Sequence, residues 1–272
     1  MGLPKEAELT TILNYLSHPP QGKRYVLLID EVDDFIHQES KNNYETLHIL
    51  RNLSAEGHCY FILAGFWDLY QAIYADYHSP LKNFGETMRL GGLEAEACHA
   101  LATEPMRALN IDYAAPSLIE QIIKQTGRRA NLVASVCNQT LGLLSNRRTV
   151  EQQDIERALD TKEIRDLILG DWDKTEDEQQ SGLLRVIVYT TVSQNSFTEN
   201  ELWNQLDKLI EFPYQPQQIH DALSRLELAF ILERTQDQYH YCVPLFYNLQ
   251  RKKGLPDMLK RELTYFNRKF KT

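Results

Sequence analysis

Two adjacent carboxylates close an apolar run in this chain, Val26-Leu-Leu-Ile-Asp30-Glu31. Four apolar residues followed by Asp and Glu have a specific use when the run is a buried strand of a parallel sheet. Ligands of an open α/β sheet sit beyond the carboxyl ends of its strands, so the first acidic residue emerges at that crevice. An Asp there holds a water of Mg²⁺, and a Glu beside it polarises an attacking water. The same hexapeptide also suits a strand that simply turns polar at its end, and short motifs have many chance matches. Arg128 and Arg129 stand at the start of an expected helix. They read either as cations that reach a γ-phosphate or as partners of acidic neighbours. Arg89 reads as a surface arginine in preference to an arginine finger. The eight histidines form no HExxH or close pair, and no Ser or Cys sits in a nucleophile elbow.

The elements that must position these residues are legible from periodicity. Glu6 to Leu16 reads as a helix ending before Pro19-Pro20. Tyr25 to Asp30 and Cys59 to Ala64 are continuous apolar runs, each expected to be a strand buried on both faces. A helix from about Tyr44 to Ala55 lies between them, which makes a βαβ unit. From Leu93 the pattern is helical only: Glu94 to Ala108, Pro116 to Gln125, Arg129 to Leu144, and Val150 to Leu159 with Thr149 as N-cap. The polar stretch Asp171 to Ser181 reads as a linker or the start of a helix. Helices are expected over Leu183 to Val192, over Thr198 to Leu206 with Thr198 and Glu201 as a capping box, and over Pro216 to Leu228. Strands Phe230 to Arg234 and Tyr239 to Val243 flank the turn Thr235-Gln-Asp-Gln238. Three helices and a hairpin make a winged helix-turn-helix.

Composition narrows the classes. With 272 residues, 43% of them hydrophobic and 25% charged, the chain is long enough for two domains with sizeable cores. It has no run of 18 apolar residues and no signal-peptide pattern at its start, so the reading is a cytoplasmic protein without a membrane span. Cys59, Cys98, Cys137 and Cys242 are far apart among apolar neighbours, and read as reduced buried thiols. The net charge of -9 disfavours DNA as a partner, though a basic patch is compatible with it. The basic cluster Arg251-Lys252-Lys253 with Lys260-Arg261 reads as a solvated face, and the helix Gln217 to Leu228 offers one cation, Arg225, against Asp221 and Glu227.

Val26 to Glu31, followed by Asp33-Asp34, resembles the Walker B segment of AAA+ ATPases, and the chain as a whole resembles the STAND-like members of that family in bacteria and archaea. Phe61-Ile-Leu-Ala-Gly65 looks like the strand whose end carries sensor 1. Leu90, Leu93, Glu96 and Ala97 look like the entry to the helical lid, and Thr126-Gly-Arg-Arg-Ala-Asn-Leu-Val133 like the TGGHPYLV segment of that lid. Ile219 to Leu232 and Tyr241-Cys-Val-Pro-Leu-Phe246 look like the family's winged helix. The resemblance implies a partial P-loop sheet over residues 1–92, a lid over 93–170, a linker over 171–182, a winged helix over 183–253 and a C-terminal helix over 254–272. It implies Asp30 as the Mg²⁺-side acid acting through water, Glu31 as the water-orienting base, and Arg128 or Arg129 near the sensor 2 position. ATP or ADP with Mg²⁺ would be the cofactor, provided that a P-loop comes from elsewhere.

Three departures bear on that reading. No G-x-x-x-x-G-K-S/T occurs in the 272 residues, Gly65-Phe66 offers no polar side chain for sensor 1, and Ala130 stands where the lid segment has its Pro. Residue 1 lies close to the point where the stretch between Walker A and Walker B would end, so the expectation is either a missing N-terminal part or a naturally incomplete ATPase. The leading reading is a fragment or subunit of a signal-transducing ATPase that relays nucleotide state to a protein partner or to another copy of itself. A non-catalytic interaction module on the same scaffold and a winged-helix DNA-binding regulator are the alternatives.

Overall fold

A computed structural model describes residues 8–170, 172–175, 177–211 and 214–270, and divides the chain into two compact units, residues 1–89 and 90–272. The first unit contains α1 (Leu9–Leu16), β1 (Tyr25–Ile29), α2 (Asp33–Lys41), α3 (Glu45–Ala55), β2 (Cys59–Leu63) and α4 (Trp67–Tyr74). Strands β1 and β2 pair in parallel, with Tyr25 opposite Cys59 and Ile29 opposite Leu63. A parallel pair needs a crossover, which α2 and α3 supply. Their apolar residues Val32, Ile36, Leu47, Leu50 and Leu53 form one core with Leu16, Ala72 and the inward strand residues Leu27 and Phe61.

That core covers one face of the sheet only. Val26, Leu28, Tyr60 and Ile62 point the other way and are 55%, 74%, 40% and 57% exposed. The expectation that both strands are buried on both faces is therefore corrected: among the described residues, helices α1 to α4 all contribute to the same core.

The second unit runs α5 (Ala95–Ala108), β3 (Asp112–Tyr113), α6 (Ser117–Thr126), α7 (Ala130–Leu144), β4 (Thr149–Val150), α8 (Gln152–Leu159), α9 (Lys162–Leu169), α10 (Glu178–Thr191), β5 (Phe197–Thr198), α11 (Glu199–Leu209), α12 (Pro216–Leu228), β6 (Leu232–Thr235), β7 (Gln238–Tyr241), α13 (Pro244–Arg251) and α14 (Leu255–Phe270). A single apolar core extends from Cys98 on α5 to Phe266 on α14. The helical stretch is interrupted by a short parallel pairing of β3 with β4, which periodicity does not reveal because each strand has two residues. Strands β5, β7 and β6 form an antiparallel sheet in that order.

Local chemistry explains several boundaries. Thr198 accepts the Glu201 N–H, and the Glu201 carboxylate accepts the Thr198 N–H, a closed capping box at the start of α11. Pro216 occupies the first turn of α12, where its missing N–H costs nothing. Helix α8 differs from expectation. Its cap is Glu151 with Asp154, not Thr149, because Thr149 and Val150 are drawn into β4. Helix α10 begins at Glu178, capped by Asp177, inside the stretch read as a linker or the start of a helix; Asp171 and Glu176 of that stretch, and Glu6 and Ala7 of the first expected helix, lie outside the described residues. The hairpin strands are shorter than expected, since Phe230 takes a left-handed conformation and Pro244 starts α13. Replacement of Thr198 by Ala should lower the unfolding free energy by about 1 kcal/mol, read from the midpoint of urea denaturation, because it removes one half of the box.

Candidate nucleotide site

Asp30 and Glu31 follow the last residue of β1 and are both exposed at its carboxyl end. The ladder continues across this edge: Ala64 donates its N–H to the Ile29 carbonyl at 2.9 Å, and Val32 donates to the Ala64 carbonyl at 3.1 Å. Asp30 and Glu31 thus form a short kink pinned on both sides. Glu31 takes a left-handed conformation, φ 53°, and its N–H donates to Asp30 Oδ1 at 3.0 Å. Non-glycine residues adopt that region at a cost, and such strain gathers where side-chain direction matters.

Asp33 supports the kink, a role that sequence reasoning missed. Its Oδ2 accepts the Phe66 N–H at 2.6 Å, and its Oδ1 accepts the N–H groups of Asp68 at 2.8 Å and Leu69 at 3.3 Å. One carboxylate at the start of α2 therefore caps the start of α4, where free N–H groups and the helix dipole favour negative charge. Gly65 makes the approach possible, for a Cβ there would lie 2.7 Å from Asp33 Oδ2 and 2.9 Å from Val32 Cγ2. The ends of β1 and β2 are thereby tied together on the side where Asp30 and Glu31 emerge. A sequence signal existed in the Asp33/Gly65-Phe66 pair, but a cap that reaches 33 to 36 residues along the chain has no local pattern. Asp33→Ala should cost about 2 kcal/mol by orphaning these donors. The expected readout is faster hydrogen exchange at the Phe66, Asp68 and Leu69 amides.

Arg128 and Arg129 belong to the second unit, in the turn that joins α6 to α7. Gly127 ends α6 at φ 60°, Arg128 is also left-handed at φ 61°, and Arg129 is the N-cap of α7. The two arginines differ in their surroundings. Arg128 has an exposed side chain, while its carbonyl accepts the Leu93 N–H at 2.9 Å. Arg129 is half-buried: its guanidinium reaches the Ala229 carbonyl at 3.5 Å and lies 5.9 Å from the Phe230 ring centroid. Burial holds its pKa below the usual arginine value. The guanidinium of Arg129 is thus engaged at the corner before β6, and neither arginine has its charge committed to a carboxylate among the described interactions. Arg89, in the first unit, lies 5.8 Å from the ring centroids of Tyr70 and Tyr74, as a surface cation stacked on aromatics does. Among the described residues no group of His, Cys, Asp and Glu is arranged to hold a metal ion by itself.

The fold is mixed α/β, and solved structures similar to it are ATPases. The solved Walker-type ATPase of Pyrococcus abyssi is similar over 84% of this chain and 63% of its own, with a TM-score of 0.62 at 15% identity. RuvB from Thermotoga maritima matches over 90% of this chain and 75% of its own, with a TM-score of 0.42 at 11% identity. Cdc6p from Pyrobaculum aerophilum matches over 96% and 74%, with a TM-score of 0.38 at 12% identity. The chain spans less than two thirds of the length of the Pyrococcus ATPase. No family model matches the sequence, and no curated protein is similar to it. No helix among the described residues is long and apolar enough to cross a membrane.

Proposed function

We propose that this chain is the Walker B, lid and winged-helix part of a signal-transducing ATPase of AAA+/STAND type, with the P-loop supplied from outside residues 1–272. The observation that carries the reading is the pinned kink at the carboxyl end of a parallel strand, where Asp30 and Glu31 stand side by side beside the Asp33 clamp. In this reading Asp30 holds a water of Mg²⁺, Glu31 orients the attacking water, and Arg128, the exposed one of the arginine pair, is the candidate phosphate-binding cation. Arg129 serves as a strut between α7 and the hairpin corner, which splits the roles of the two arginines. Residues 93–170 act as the lid. Helices α10, α11 and α12 with the β5–β7–β6 sheet act as the winged helix that passes the nucleotide state to a protein partner or a second copy.

A DNA-binding role is the weaker alternative. The unburied face of α12 sets one cation, Arg225, against the carboxylates Asp221 and Glu227, a poor match for phosphates.

Purified alone, the chain should release no phosphate from MgATP above background, because the loop that cradles the β- and γ-phosphates lies outside it. Joined to a P-loop segment it should hydrolyse ATP, and Glu31→Gln should abolish turnover while nucleotide still binds. Turnover by the chain alone that Glu31→Gln abolishes would overturn the requirement for an outside P-loop. Turnover in the joined protein that survives Glu31→Gln would overturn the role given to Glu31.

A further inference from the structure

The turn that carries the arginine pair is gripped from two sides within the second unit. From one side comes the base of the β6–β7 hairpin. Gly127 lies against it backbone to backbone, since a Cβ there would stand 2.2 Å from the Cys242 carbonyl oxygen. The Arg129 guanidinium reaches the Ala229 carbonyl and lies over the Phe230 ring. The base itself is cross-tied: Cys242 donates its N–H to the Ile231 carbonyl at 3.1 Å and its thiol to the Phe230 carbonyl at 2.9 Å. From the other side comes the segment that leads into α5. Leu93 donates its N–H to the Arg128 carbonyl at 2.9 Å, and a Cβ on Gly92 would lie 3.2 Å from both Arg128 Cβ and the Gly127 oxygen. Arg128 stands between these two grips, left-handed at φ 61° with its side chain exposed.

We infer that the hairpin base positions Arg128, so that the turn 127–129 is a relay between the β6–β7 hairpin and the entry to α5. Packed side chains absorb a small shift by a change of rotamer, but backbone pressed on backbone does not. A shift of Cys242 therefore passes to Gly127 and on to Arg128. Two consecutive left-handed residues leave this turn few other conformations in which to take up the strain. The hairpin is shaped as the input arm: Glu233 to Gln238 are all exposed, while Ile231, Leu232 and Tyr239 are buried. Force on the exposed tip is thus borne by the base. The output is double. It is the direction of the Arg128 side chain and, through the Arg128 carbonyl, the Leu93 amide among the first residues of the second unit. Arg129, Phe230 and Cys242 act through Arg128 as positioning residues. By linkage, whatever holds Arg128 in place steadies the hairpin in return. The relay adds to the function proposed above a route by which the hairpin and the candidate phosphate-binding cation sense each other.

Hydrogen exchange followed by NMR on the full chain tests this, with Leu93 as the reporter, because its amide is held by Arg128 and not by the hairpin. Phe230→Asn removes the ring and keeps a residue that tolerates the left-handed backbone at that corner. Arg129→Met removes the guanidinium and keeps an apolar stem. Either variant should speed exchange of the Leu93 amide about five-fold and shift the Arg128 Nε–H signal. The amides of Val136 in α7 and Ile155 in α8 should keep their wild-type protection. The measurement contains no nucleotide, so its result stands whether or not Arg128 binds phosphate. Leu93 exchange at the wild-type rate in either variant would overturn the relay. So would a Leu93 amide accelerated no more than those of Val136 and Ile155, which would reduce the contact to general loosening of the unit.

Discussion

Gly127→Ala is expected to lower the stability of the second unit by about 3 kcal/mol, with a melting temperature roughly 6–12 °C lower. Two costs add. Gly127 sits at φ 60°, a region that a Cβ makes unfavourable. The added Cβ would also lie 2.2 Å from the Cys242 carbonyl oxygen, 2.9 Å from its carbon and 3.0 Å from Val243 Cγ2. Two of those three atoms are backbone, so the strain cannot be relieved by a change of rotamer and the hairpin must move away from the α6–α7 turn. Arg129 is carried on that turn, and its reach to Ala229 should be lost with it. Gly142→Ala is the matched control. It lies within α7 with open space around it, and should leave stability unchanged or raise it by up to about 1 kcal/mol. Equal destabilisation by the two substitutions in differential scanning calorimetry would refute the close approach as the cause.

The second large effect concerns Asp154. Its carboxylate is buried, takes both prongs of the Arg147 guanidinium at 2.5 and 2.9 Å, and accepts the Glu151 N–H at 2.9 Å as its part of the capping box of α8. Asp154→Ala should cost about 3 kcal/mol, the low end for a broken buried pair, because Arg147 is half-exposed and can rehydrate. The Arg147 hydrogen bond is the main reason that the Asp154 pKa lies below the usual carboxylate range. A group whose folded pKa is depressed contributes stability above its unfolded pKa and loses it as pH falls through the folded value. The gap between wild type and Asp154→Ala should therefore be constant from neutrality down to the ordinary aspartate pKa of about 4, and should narrow below it. Urea denaturation at a series of pH values reads this directly. A gap that widens on acidification would mean that the carboxylate is not held ionised by Arg147.

Much of the local structure was legible before any coordinates. The two apolar runs are the strands β1 and β2, and the Thr198–Glu201 pair and Pro216 mark the starts of α11 and α12. These signals work because caps, prolines and side-chain periodicity act between residues a few positions apart. The candidate site was half legible. Asp30-Glu31 announces itself by following four apolar residues, whereas Asp33 stood out only as part of the acidic run that follows Glu31. Its actual partners are Phe66, Asp68 and Leu69.

What the sequence determined by itself, then, is part of the set of elements, among them β1, β2, α3, α5, α11 and α12 but not α2, α4, α9 or α13, and the emergence of two carboxylates at the end of a strand. Only the tertiary structure decided which faces of those elements are covered and which polar groups are spent. Val26 and Leu28 are as apolar as Leu27 and Ile29, and no pattern within β1 distinguishes them. Their different fates follow from the placement of α1 to α4 on one side of the sheet. Arg128 and Arg129 are likewise identical in type and adjacent in sequence. One is exposed while the other reaches a carbonyl 100 residues further on. Burial and partnership are set by whatever the rest of the chain brings alongside, and that is settled by long-range packing, to which periodicity and spacing are blind.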